Sequence, residues 1–164
     1  SNFSVAGSQA PGSFFLLLWA LLTGGFFRSL IRQSVSMAGD RLAAGREMAM
    51  TDLAVLLLVV SVLLPYRPAD GKLLASIHVI LAFSATVVFY LVITSLDLKL
   101  YFQYPGCFSL CTGLLGFAIA ATAALLVLSG FMISSALEFF LTVFASLWLW
   151  LFRRRIRSLK RHWL

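Results

Sequence analysis

Charged and strongly polar residues in this chain fall between long apolar blocks, and the order of those blocks predicts its elements. Crossing about 30 Å of hydrocarbon takes around 20 residues as a helix. Five stretches qualify. The first covers about 13–31 (SFFLLLWALLTGGFF, then RSLI), and the second about 48–66, with LAVLLLVVSVLLPY as its core. The third, 73–96, is bounded by Pro65, Pro68 and Gly71 before it and by Asp97 and Lys99 after it. From 100 to 152 only Glu138 is charged. That is too long for one crossing and right for two, joined by a tight turn at Ser129-Gly130, which gives spans of about 107–129 and 133–152. A transmembrane β-barrel needs alternating segments of about ten residues, and these continuous Leu/Val/Phe/Ala runs do not alternate. The pattern predicts an all-α, polytopic transmembrane helical bundle of five spans, a single domain over 1–164 with a basic tail at 153–164.

Composition narrows the class further. Hydrophobic residues make up 61% of the 164 and charged ones 12%, with a mean hydropathy of +0.98; soluble domains run at roughly 45–50% apolar. This excludes an ordinary cytosolic enzyme and a disordered chain, and two cysteines do not make a disulfide scaffold. The net charge of +7 has no soluble basic face to sit on, so no nucleic-acid partner is expected. Its distribution sets the orientation instead, because Lys and Arg in short loops stay cytoplasmic. Arg153, Arg154, Arg155, Arg157, Lys160 and Arg161 follow the fifth span; Arg28 at the end of the first span and Arg32, Arg41 and Arg46 in the loop after it lie on the same side; Lys99 follows the third. The opposite face has only Arg67 and Lys72. The C-terminus is therefore expected in the cytoplasm and the N-terminus outside or in a lumen. Mostly this is anchoring charge; the alternative for RRRIRSLKRHWL is binding to anionic inner-leaflet lipid, worth about 1 kcal/mol per basic residue. With no positive charge in 1–12, the first span does not read as a signal peptide. Asn2-Phe3-Ser4 matches a glycosylation sequon, a tripeptide common by chance.

Ionisable groups inside hydrocarbon cost about 2.5–3.5 kcal/mol on insertion scales and so ask for a partner or a role. His78 and Glu138 each lie about five residues past the outer start of a span, roughly 7–8 Å deep at 1.5 Å per residue. At one level they could hydrogen-bond, either as a structural clasp or as a headgroup or acid/base site, with Ser76, Ser134 and Ser135 at similar depth. Tyr66 and Arg67 stand in the outer loop above that level, where Arg67 could meet a lipid phosphate. Asp52 opens the second span as part of a Thr51-Asp52 cap and Asp97 closes the third, both at interface depth. Tyr90, Tyr101, Phe102, Tyr104, Trp148 and Trp150 read as an aromatic belt. Gly113, Gly116, Ala120 and Ala124 form a small-residue ridge on the fourth helix that admits another helix, either inside the bundle or from a homo-oligomer or partner subunit. Gly24-Gly25 marks a kink or a second close contact. Cys107 and Cys111, at C-x-x-x-C spacing, suit apolar packing, with palmitoylation as the alternative. No metal-binding motif, P-loop or other cofactor signature is present, so no metal and no cofactor is expected.

The stretch Ser76-Ile-His-Val-Ile-Leu-Ala-Phe83, running on to Phe89-Tyr90, with Ser134-Ser-Ala-Leu-Glu-Phe139 two helices later, resembles the damage-regulated autophagy modulator superfamily, which includes GPI-anchor lipid-remodelling and Sfk-type proteins. In that group a His-x-x-x-Ala-x-x-Phe-like start of one helix and a Ser-Ala-x-x-Glu-Trp-like start of the last recur. Here His78 and Ala82 keep the spacing, Ala85 stands at the phenylalanine position and Phe139 at the tryptophan. The resemblance covers about half the chain. It implies a membrane protein linked to lipid organisation or remodelling, with His78 and Glu138 as the residues carried over. The family's usual six spans imply that a five-span chain lacks the first.

The leading expectation is a non-enzymatic bundle that binds or organises lipid, with His78 and Glu138 forming an outer-leaflet polar site and Tyr66 and Arg67 beside it. The alternatives are a structural subunit of a larger membrane complex, and an intramembrane lipid-modifying enzyme with His78 as general base oriented by Glu138.

Overall fold

The computed structural model describes residues 12–39, 44–64, 72–128 and 135–162, with side chains at 14–39, 44–64, 73–127 and 140–159. Five helices account for them: α1 (Gly12–Ala38), α2 (Gly45–Leu63), α3 (Lys72–Gln103), α4 (Pro105–Leu128) and α5 (Ser135–His162). No strand occurs among the described residues. Phe14–Ala38, Leu73–Gln103 and Pro105–Val127 are each long and apolar enough to cross a membrane. The described residues are thus helical, with three helices long and apolar enough to span a membrane.

Helix ends follow local chemistry. Gly39, at φ +60°, terminates α1 in the left-handed conformation that only glycine adopts without strain. Pro105 separates α3 from α4: it has no N–H to continue the α3 ladder, and its ring disfavours helical geometry at Tyr104. Tyr104 alone links the two helices. Its N–H donates to the Leu100 carbonyl at 2.8 Å, and its own carbonyl accepts from the N–H groups of Cys107 at 3.0 Å and Phe108 at 3.3 Å. Proline at the first position of α4 is tolerated, since that N–H would have no intrahelical partner.

Three helices come out longer than the apolar runs suggest. α1 continues past Ile31 to Ala38, α3 past Leu96 to Gln103, and α5 past Phe152 to His162. In α5 the reason is visible in the burial pattern, where Phe152, Ile156 and Leu159 remain buried on one face, so the apolar stripe outlasts the apolar run. α2 begins at Gly45, so Thr51 and Asp52 lie a turn and a half inside it and are not its cap. The Thr51 hydroxyl bonds back to the Glu47 carbonyl at 2.7 Å. Asp97 likewise lies within α3 and is fully buried rather than at a water-wetted end.

The described parts of the chain form two compact units: Ser1–Ser29 with Gly45–Val92, and Leu30–Ala44 with Ile93–Leu164. In the first, α1 and α2 meet closely at Gly24, where an added Cβ would lie 2.9 Å from Val55 Cγ1. Phe27 stacks on Phe89 at 4.9 Å between ring centroids. The second is built on aromatic packing: Trp148 stacks on Phe152 at 4.6 Å, Phe108 meets Phe152 at 5.6 Å, and all three rings are fully buried. Trp148 therefore belongs to a core and not to an interfacial belt, while Trp150 is half exposed.

Candidate functional site

His78 is buried at 5% exposure within the first unit. Its Nδ1 lies 2.7 Å from the Ser61 carbonyl oxygen and 2.8 Å from that of Leu64. Carbonyls only accept, so Nδ1 carries the hydrogen and shares it between them. Both carbonyls stand at the C-terminal end of α2, where the helix dipole is negative; that of Ser61 also accepts from the Leu64 N–H at 3.3 Å. The imidazole on α3 thus closes the end of α2. The side chains of Glu138 and Ser135, and Tyr66, Arg67 and Ser134, lie outside the described residues. Ser76, two positions before His78 on α3, is exposed.

A charge pair that sequence reading passed over sits in the same unit. Arg28 of α1 donates from Nε to Asp52 Oδ1 at 2.5 Å and from Nη2 to Oδ2 at 3.3 Å. Both side chains are nearly half exposed, and the bidentate geometry neutralises their charges on the outer face of an otherwise apolar helix pair. Arg28 interrupts one apolar run and Asp52 opens another, a complementarity that was visible in the sequence once α1 and α2 are taken as an antiparallel pair. Glu47 is also fully buried, with Arg46 Nη2 at 3.9 Å.

On α4 the small-residue ridge points away from the helix's own contacts. Gly113, Gly116, Ala120 and Ala124 are exposed, and a Cβ added at either glycine would meet nothing within 4 Å. The packed face is instead Phe108, Cys111, Leu115 and Ala118. The ridge is therefore not the packing centre of this chain: larger side chains at the same helical period fill the space against α5. Cys111 is buried and its carbonyl accepts a hydrogen bond from Trp148 Nε1 at 3.2 Å, while Cys107 is partly exposed; both are free thiols.

The most ordered surface feature is on α5. Val143, Leu147, Trp150, Arg154 and Arg157 are all exposed and follow one another at steps of four, three, four and three, so they form a single outward stripe. Phe144, Trp148, Phe152, Ile156 and Leu159 fill the opposite, buried face. Along the stripe the chemistry passes from aliphatic to indole to guanidinium within seven residues, about 10 Å of helix. Arg154 Cζ sits 5.6 Å from the Trp150 ring centroid, a cation–π arrangement that sets the guanidinium over the indole.

Comparison with protein-family models, with curated proteins and with solved structures finds no match to this chain.

Proposed function

We propose that the protein is a five-span membrane protein that binds and organises lipid, gripping the phosphates of anionic lipid in the cytoplasmic leaflet through Arg154 and Arg157. The α5 stripe carries this reading. Its aliphatic part matches acyl chains, Trp150 matches the interface, and two arginines one turn apart match the headgroup phosphates. Because Ile156 and Leu159 stay packed while Arg154 and Arg157 face outward, the fold fixes the backbone positions from which both arginines reach out, so binding has only side chains to order.

α2 and α5 complete the five spans in this reading. Beyond Asp52, whose charge is met by Arg28, α2 runs on as LAVLLLVVSVL, and α5 carries only Glu138 before Arg153. The N-terminus is then external and the basic helix end cytoplasmic. The resemblance to lipid-remodelling membrane proteins points the same way. His78, with its Nδ1–H given to α2, takes a structural part rather than a catalytic one.

The exposed Gly113–Gly116–Ala120–Ala124 ridge favours a second reading, in which a further transmembrane helix packs there and the chain is a subunit of an assembly. One experiment addresses both. The full chain is purified in mild detergent from a bilayer containing equal phosphatidylcholine and phosphatidylserine, and native mass spectra are recorded for it and for R154Q/R157Q. The lipid reading expects retained phosphatidylserine to exceed phosphatidylcholine in the parent and the excess to fall several-fold in the variant. Equal retention in both proteins would overturn it. A mass above one chain supports the assembly.

A further inference from the structure

The α3–α4 hairpin encloses a carboxyl group that the lipid reading does not use. Asp97 and Thr112 are placed nearly symmetrically about Tyr104, so the one-residue link folds them against each other. Asp97 is 0% exposed. Its Oδ2 lies 2.6 Å from the Thr112 hydroxyl oxygen, and that same oxygen lies 3.1 Å from the Phe108 carbonyl oxygen. Its Oδ1 is buried with no hydrogen-bond partner among the described residues.

Counting hydrogens separates the two charge states. The Thr112 hydroxyl has one hydrogen and faces two acceptors. If Asp97 were ionised, that hydrogen would have to go to Oδ2, and a fully buried anion would be left with a single donor for two oxygens. If Asp97 is the neutral acid, its own O–H donates to Thr112 and the Thr112 O–H donates to the Phe108 carbonyl. Every hydrogen is then placed, and Oδ1 is a neutral carbonyl oxygen, which tolerates burial far better than a carboxylate oxygen.

The surroundings agree. Phe108, Trp148 and Leu96 of this unit are fully buried and Leu100 nearly so. The charged and titratable groups of the unit on these helices include Lys99 and Tyr101 on α3, Cys107 and Cys111 on α4, and Arg153 and Arg155 on α5. Among the described residues, no lysine or arginine nitrogen comes within ion-pairing distance of Asp97.

We propose that Asp97 is a proton-binding site: it is held as a carboxylic acid at neutral pH, at the head of a relay running from Asp97 O–H to Thr112 O–H to the Phe108 carbonyl. The proton is the ligand, and it holds the hairpin closed, because its loss would leave a fully buried anion with the Thr112 hydroxyl as its one donor among the described residues.

Infrared spectroscopy of the full chain in phosphatidylcholine bilayers at pH 7 reads the charge state directly. In the spectrum of the parent minus D97N, the neutral acid gives a carboxyl C=O stretching band, which moves to lower frequency when aspartate is labelled with ¹³C at the side-chain carboxyl. T112V retains Asp97 but removes the acceptor for its O–H, and the band is expected to rise in frequency; T112S restores the parent position. A difference spectrum showing the paired carboxylate bands and no C=O band would overturn the proposal. So would a C=O band unmoved in T112V, because the relay would then be absent. Should D97N fail to insert, the isotope shift in the parent and the T112V comparison decide it alone.

Discussion

Replacing Gly24 by alanine tests the α1–α2 contact against an internal control one residue away. The new Cβ at position 24 would sit 2.9 Å from Val55 Cγ1, 3.4 Å from Cγ2 and 3.6 Å from Cβ. Valine in a helix has one strongly preferred rotamer, so its methyl groups cannot swing aside, and the helices must separate by several tenths of an ångström. Overpacking of this kind costs about 1–3 kcal/mol. At Gly25 an added Cβ meets nothing within 4 Å, and alanine there gains about 0.5–1 kcal/mol of helix propensity. Gly24→Ala gains the same propensity, so the two variants are expected to differ by the overpacking cost, about 1–3 kcal/mol, with Gly24→Ala the less stable. The assay is reversible unfolding in mixed micelles by denaturing-detergent titration. Val55→Ala removes both crowding methyls and leaves only the 3.6 Å contact, so in that background Gly24→Ala should lose most of its cost, a coupling energy read from the double-mutant cycle. Equal effects at 24 and 25, or an unchanged cost of Gly24→Ala in the Val55→Ala background, would refute the close contact.

Further expectations concern the two hydrogen-bonded side chains that hold helix ends and cores. His78→Leu leaves the Ser61 and Leu64 carbonyls without the imidazole N–H and should destabilise the chain by about 1–3 kcal/mol, with faster hydrogen exchange confined to the last turn of α2; exchange unchanged there would remove the capping role. Trp148→Phe keeps the stacking on Phe152 but removes the indole N–H that the Cys111 carbonyl accepts in addition to its helix bond, at about 1 kcal/mol. The same change should raise the alkylation rate of Cys111 in the folded protein, and an unaltered rate would show that the indole N–H does not hold that turn.

What the sequence revealed was set by one-dimensional signals. Apolar run length located all five helices, since a run long enough for a bilayer reads as a helix whatever its partners. The ends at 31, 96 and 152 came out short because hydropathy stops counting at the first charges. The helix is instead sustained by buried residues such as Ile156 and Leu159, three positions apart among arginines and a lysine. Gly24 as a close contact was legible, and so was the burial of Cys111. Lateral partners were not: Asp52 looks like a cap until Arg28 is seen beside it, and Asp97 looks like a helix end until Pro105 is recognised as the break that folds it onto Thr112. Spacing on α4 identified a ridge of small residues correctly but could not say which face of the helix its neighbours would occupy.

The central claim is that the outward stripe of α5 crosses from acyl chains to anionic headgroups. The most direct measurement is a nitroxide depth series at 143, 147, 154 and 157, one label at a time, with Cys107 and Cys111 replaced by alanine, in bilayers containing phosphatidylserine. Oxygen should relax the labels at 143 and 147 more strongly than a water-soluble nickel chelate does, with the order reversed at 157 and the crossover at 154. Nickel-dominated relaxation at all four positions would place the whole stripe in water, and oxygen-dominated relaxation at 157 would bury it in hydrocarbon; either contradicts the account.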